Sequence, residues 1–200
     1  GGAPVPGYRE EDRVAPDSET ESYVAMRVHI DNWRWEGCPF YIRMGKRLPT
    51  KATEISLHFK RPPDVLFQKL PGRGEGNVLV IRIQPDEGSE LRMFSKAPGT
   101  NFQIEEVNMD FSYHSSFNEA APEAYERLLL DAMAGDATLF ARRDEVENAW
   151  RFVDSIEHAW HQNPRPPAMA EYTAGSWGPI EADLLLAECG HRWRRLGPAS

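Results

Sequence analysis

The hydrophobic period of this chain changes once, and that change sets the class of fold it can adopt. From Tyr23 the pattern alternates: Val24, Met26, Val28 and Ile30 share one face, while Ala25, Arg27 and His29 take the other. Further strands follow over 40–44, 55–59 (with Ile55, Leu57 and Phe59 on one face), 78–83, 90–96 and 107–113. In the last of these Val107, Met109, Phe111 and Tyr113 alternate with Asn108, Asp110, Ser112 and His114, which makes one side of the sheet apolar and the other polar. The polar side is suited to solvent or to a partner.

After Tyr113 the period lengthens. Pro122 fits a first helical position, and Tyr125, Leu128, Leu129 and Met133 recur at helical spacing, with Gly135 placed to close the end. Asp144 with Glu147 looks like a capping box that starts a second helix. Its Val146, Trp150, Val153, Ile156 and Trp160 form an apolar stripe expected to face the sheet as core. Pro164, Pro166 and Pro167 stop that helix, and Leu184, Leu185 and Leu186 belong to a final short one. Strands first and helices last predict an α+β fold: a large, mainly antiparallel sheet with helices packed on one face. Residues 1–22, rich in Gly, Pro and acids, read as an irregular lead-in with something before it, and 23–200 as one domain. Residues 70–77, LPGRGEGN, join two strands as a long hairpin loop; they do not lie between a strand and a helix, so they are no dinucleotide fingerprint.

Bulk properties exclude several functions. A net charge of −8, from 31 acidic against 23 basic residues, argues against nucleic acid as a partner. No apolar run approaches a membrane span and no signal peptide opens the chain, which reads as cytoplasmic. Cys38 and Cys189 lie far apart with no CxxC pattern and are read as buried thiols in a reducing compartment. His158 and His161 have no completing carboxylate or cysteine pattern, so no metal is expected, and His29, His58 and His114 read as structural residues on polar strand faces. Trp33 and Trp35, flanking a strand, read as core.

One stretch stands apart from this acidic background. Between Gly37 and Thr53 there is no acid, while Arg43, Lys46, Arg47 and Lys51 make a positive island suited to a small anionic or polyhydroxylated ligand. Charge alone also permits a solvated basic loop, with Gly45 as its turn and with Arg43 and Arg47 in ion pairs or facing solvent.

The ordered motifs GYREE (7–11), IDNWRWEGCPFYIRMGKRLPTK (30–51), TEISLHFK (53–60), VIRIQPDE (80–87), AYERLLLDAMAGD (124–136) and YTAGSWGPIEAD (172–183) decide between those readings. In one register from about Gly7 to Leu196, the chain resembles the C-terminal part of glucose-6-phosphate dehydrogenase, with GSWGP and the WRR ending closer to bacterial than to animal members. The resemblance implies an enzyme that oxidises glucose 6-phosphate to 6-phosphogluconolactone with NADP, opening the oxidative pentose phosphate pathway. It also implies a homo-oligomer formed through the sheet, and an exposed sheet face should favour self-association. By position, Lys46 and Lys51 match the two basic residues that face the sugar phosphate, and Gln84 matches another residue near the sugar. A unit-charge pair near 4 Å contributes roughly 4 kcal/mol at an effective dielectric of 20 before desolvation, enough to orient a ligand.

Departures from the family pattern bound the expectation. The N-terminal Rossmann coenzyme domain, the RIDHYLGKE-like motif and the catalytic histidine have no counterpart in these residues, so the expected catalytic set here is empty, coenzyme contacts are expected elsewhere, and the chain alone should be inert. A second, structural NADP site of eukaryotic members is matched at Arg82, Arg92 and Asp110 but not at Ala52, Ser56 and Trp177, so that site is expected to be absent. The alternatives are a non-catalytic sugar-phosphate-binding or regulatory module derived from the same fold, and a purely structural dimerisation piece.

Overall fold

The structure is a computed structural model that describes residues 5–60, 76–99, 104–117, 124–163, 169–194 and 196. It is α+β, with strands β1 (Tyr23–Val28), β2 (Phe40–Gly45), β3 (Thr53–His58), β4 (Val78–Gln84), β5 (Gly88–Lys96) and β6 (Ile104–Ser112). Helices α1 (Tyr113–Phe117), α2 (Ala124–Ala134), α3 (Arg143–Gln162) and α4 (Ile180–Ala187) follow. Residues 70–75 of the expected hairpin loop, and Pro122, Pro164, Pro166 and Pro167, lie outside the described residues.

All six strands fall where the sequence reading places them, divided between a two-stranded ladder β1-β2 and a four-stranded sheet ordered β3-β4-β5-β6. The β1/β2, β3/β4 and β4/β5 pairs are antiparallel. Tyr113 and His114, read as strand, instead open α1, where the Tyr113 ring meets those of Phe111 and Phe117. That aromatic cluster rewards a turn of helix over another extended residue.

The chain divides into two compact units, residues 1–110 with 170–200, and residues 111–169. Within the second unit α2 ends as expected at Gly135, whose φ of +72° is the left-handed conformation of a helix stop. The start of α3 differs from expectation. Glu145, not Glu147, reaches back to accept the Arg142 N–H at 3.0 Å, while Asp144 takes the Arg142 guanidinium at 2.9 Å and 2.8 Å. The helix therefore begins about two residues earlier than the motif suggested. Its stripe is also less covered than expected: Val146, Trp150 and Val153 are exposed, and only Ile156 and Trp160 are partly covered. Helical spacing reveals an apolar face, whereas burial needs an opposing surface.

In the first unit, the register separates the two faces of the four-stranded sheet. Glu54, Ser56 and His58 of β3 stand across from Arg82, Val80 and Val78 of β4, which in turn face Gly88, Glu90 and Arg92 of β5. The other face carries Ile55, Leu57, Leu79, Ile81 and Leu91. A bidentate Arg82–Asp110 pair, at 2.8 Å and 3.3 Å, puts Asp110 on the charged face and so leaves Val107 and Met109 on the apolar one. The charged face is the better covered. Val78 and Val80 are each 2% exposed, whereas Ile55 is 51% and Met109 62% exposed.

Two further readings are corrected. Trp33 is fully exposed rather than core, standing on the turn between β1 and β2, while Trp35 does pack edge-on against Phe40 with ring centroids 5.2 Å apart. Cys189 is exposed just past α4, where its sulfur accepts from the Arg27 guanidinium at 2.9 Å, and Cys38 is only half-buried. A small apolar side chain is buried only where its element turns it inward, and Cys38 lies in the irregular connection before β2 while Cys189 lies on a turn.

Candidate functional site

The cationic loop begins where β2 stops. Gly45 pairs with Tyr23, and a Cβ on Gly45 would stand 2.5 Å from Tyr23 Cδ2, so the glycine is what lets the strand lie against that ring. The next residue, Lys46, extends the ladder by donating its N–H to the Ser22 carbonyl at 2.8 Å. Its own carbonyl accepts the Tyr172 hydroxyl at 2.8 Å, and that hydroxyl also stands 3.1 Å from the Ser22 carbonyl. Arg47 then turns into the left-handed region with φ +51°, an uncommon conformation for a residue with a side chain. Its carbonyl accepts the Gly175 N–H at 2.8 Å and its guanidinium pairs with Glu11 at 2.6 Å. Of the two settings expected for Arg47, an ion pair or solvent, the ion pair is present on a side chain that stays half exposed. The Lys46 side chain is exposed and has no ion-pair partner among the described residues.

Lys51 and Gln84 lie just before the start of β3 and at the end of β4, two neighbouring strands of the four-stranded sheet. Lys51 is exposed, two residues before β3, again with no ion-pair partner among the described residues. Gln84 closes β4 opposite Thr53 and donates its side-chain N–H to Thr53 Oγ1 at 2.9 Å. A register shift between Thr53 and Glu54 leaves Ile83 of β4 as the extra residue of a bulge, beyond which Thr53 still pairs with Gln84. The β2–β3 connection and the end of β4 therefore carry two ammonium groups without an ion-pair partner among the described residues, and an amide bonded to its neighbour Thr53. Such a set donates hydrogen bonds to hydroxyl and phosphate oxygens and contains no general base.

Arg43 has a structural task instead. Its guanidinium lies over the rings of Trp177 and Trp193, 5.0 Å and 4.7 Å from their centroids, and Nη2 donates to the Arg194 carbonyl at 3.3 Å. Burial lowers the Arg43 pKa from its usual value, with Tyr23, Asp183 and Glu54 opposing. Arg194 in turn places Nη1 on both oxygens of Glu54, at 3.1 Å and 2.9 Å, and Nη2 on Glu90 at 3.1 Å. The segment after α4 thereby covers the charged side of the sheet. His58 shares that side, hydrogen-bonded to Ser56 at 3.0 Å; burial, then Arg92, His191 and Arg194, lower its pKa and favour the neutral ring.

Sequence reasoning missed what holds Lys46. Tyr23, Tyr172, Gly175 and Gly178 form a frame around it: the two tyrosine rings lie 5.2 Å apart, and Tyr23 points its hydroxyl at the Trp177 carbonyl, 3.4 Å away. The signal was the separate motif containing Tyr172 and GSWGP, whose partner in space could not be read from its place in the chain. A cavity of about 310 Å³ lined by residues 29–33 and 35–37 includes none of Lys46, Lys51 and Gln84. Among the described residues no cluster of three metal-ligating side chains occurs, and no helix is long and apolar enough to cross a membrane.

Residues 1–194 match the family described as glucose-6-phosphate dehydrogenase, C-terminal domain. A glucose-6-phosphate 1-dehydrogenase of Treponema pallidum is 50% identical over 194 residues, covering 96% of this chain and 37% of the relative. That of Aggregatibacter actinomycetemcomitans is 51% identical over 191 residues, with 96% and 37% covered. Among solved structures, the glucose-6-phosphate 1-dehydrogenase of Mycobacterium avium superposes with a TM-score of 0.79 at 38% identity, covering 98% of this chain and 40% of that one. A glucose-6-phosphate dehydrogenase in complex with its substrate glucose-6-phosphate gives 0.81 at 31% identity, with 95% and 38% covered. The chain spans between 37% and 40% of the length of the curated relatives it matches.

Proposed function

This chain belongs to the glucose-6-phosphate dehydrogenase C-terminal domain family, and from that premise we propose that it is the substrate-binding and dimerisation portion of a cytoplasmic, NADP-linked glucose-6-phosphate dehydrogenase. In this reading Lys46 donates to ring hydroxyls, Lys51 adds charge toward the dianionic phosphate, and Gln84 holds the sugar from the end of β4. Together they aim the C1 hydrogen at the nicotinamide, and positioning of that kind is worth orders of magnitude in rate. NADP and the proton-abstracting histidine come from outside these residues, so this chain alone turns nothing over.

The observation that carries the reading is the Lys46 loop itself. Its backbone is hydrogen-bonded at Lys46 N, Lys46 O and Arg47 O while the Lys46 ammonium lacks an ion-pair partner among the described residues. That is the economy of a binding group, with a fixed base and an uncommitted tip. Association through the exposed apolar side of the sheet, along Ile55, Ile81, Ile83 and Met109, supports the dimerisation role. Arg82 is already engaged with Asp110 and Trp177 with Arg43, which supports the absence of a second NADP site.

Calorimetric titration of glucose 6-phosphate into the 200-residue chain at low salt tests the assignment. Weak binding by the parent that disappears in the Lys46→Ala, Lys51→Ala double variant is expected. Binding undiminished in the variant, or no binding by either protein, would contradict it.

A further inference from the structure

We propose that Tyr172 is a positioning residue for Lys46, acting through the Lys46 carbonyl and not through substrate. The proposal rests on the assignment of Lys46 to the sugar phosphate and adds to it a residue more than a hundred positions further along the chain. Segment 172–175 carries two bonds to the cationic loop: the Tyr172 hydroxyl to Lys46 O at 2.8 Å, and the Gly175 N–H to Arg47 O at 2.8 Å. Between those two carbonyls sits Arg47 with its φ of +51°. A non-glycine residue holds that conformation only when its surroundings over-determine it. The two bonds from segment 172–175, with the Glu11 ion pair, supply the constraint.

Tyr172 is suited to the task in three ways. Its ring is fixed by Tyr23 at 5.2 Å, so the hydroxyl is delivered to one place. That hydroxyl stands between the carbonyls of Ser22 and Lys46, and the Lys46 N–H closes the figure on Ser22 O at 2.8 Å. The Lys46 peptide is thus held on both sides before any ligand arrives, which removes ordering of the loop from the work of binding. With the hydroxyl gone, the Lys46 carbonyl loses its protein partner, Arg47 is free to relax from the left-handed region, and the ammonium no longer starts from one position.

A double-mutant cycle on the full chain tests this with glucose 6-phosphate as the probe. Tyr172→Phe removes one oxygen and keeps the ring, and it should weaken binding about fivefold, the value of one ordinary hydrogen bond. In a Lys46→Ala background the same change should have no further effect, because the group being positioned is already absent, whereas in a Lys51→Ala background the full loss should persist. Faster hydrogen exchange at the Lys46 amide should accompany it. Binding by Tyr172→Phe equal to the parent, or the same loss in the Lys46→Ala background as in the parent, would overturn the proposal and leave the sugar-phosphate assignment standing. Equal affinity of Lys46→Ala and the parent would instead remove that assignment, and the proposal with it.

Discussion

Replacing Gly178 with alanine is expected to destabilise the first unit by about 2–5 kcal/mol, combining backbone strain with overpacking. Gly178 has φ +110°, and a Cβ there would stand 2.5 Å from Tyr23 Cε2, 2.5 Å from Cζ and 2.6 Å from the hydroxyl oxygen. Tyr23 has little room to yield, since its ring edge already lies against Gly45 and its face packs near Tyr172. Gly175→Ala provides the control. Its φ of +82° is also left-handed, but nothing lies within 4 Å of the added Cβ, so only the conformational part, about 1 kcal/mol, should appear. Urea unfolding of the two variants separates the contributions. Equal losses would show that Tyr23 does not fill the space between these backbones as described.

Arg194→Ala is the second large effect expected. The guanidinium forks between Glu54 on β3 and Glu90 on β5, with side-chain exposures of 28% for Arg194, 16% for Glu54 and 22% for Glu90. Removing it leaves two carboxylates on one covered face without the cation that joined them. Fully buried pairs broken in this way lose about 3–5 kcal/mol; with partial solvent contact about 1–3 kcal/mol is expected here. Arg194→Lys should recover only part of this, because an ammonium cannot satisfy two carboxylates with a planar fork. Adding Glu54→Gln to Arg194→Ala should recover part as well, by relieving the repulsion. A change within about 0.5 kcal/mol for Arg194→Ala, the range of ordinary surface substitutions, would contradict the bridging role.

These two sites also show how far the sequence could be read. The sequence located β3 and β4 and placed Ile55 and Leu57 on one face of β3, whereas the faces of β4, a run of four apolar residues from Val78 to Ile81, come from its register. It could not say which face would be covered, and polarity pointed the wrong way. Cover on the charged face includes Arg194, which follows α4 and reaches Glu54 and Glu90. A charged face becomes coverable once a complementary fork arrives, and periodicity contains no information about a segment more than a hundred residues away.

The candidate site was legible in its charges but not in its mechanics. Lys46, Lys51 and Gln84 came from the motif resemblance, and the island without acids marked the first two independently. Arg43 belonged to the same island yet turned out to be held by two tryptophans, because a guanidinium one residue before Met44 on β2 is directed by the strand, not by its net charge. What fixes Lys46 was hidden for another reason: hydrogen bonds from Tyr172 and Gly175 end on backbone carbonyls, and a backbone carbonyl has no sequence signature.

The central claim is that the Lys46 loop, Lys51 and the Gln84 end of β4 together face the sugar phosphate. Amide chemical-shift mapping of the chain during titration with glucose 6-phosphate tests it residue by residue. Saturable shifts centred on Lys46, Arg47, Lys51, Thr53 and Gln84 are predicted, with the Gly175 amide moving alongside them. Shifts confined to the cavity around residues 29–37, or spread elsewhere with those amides unmoved, would contradict it.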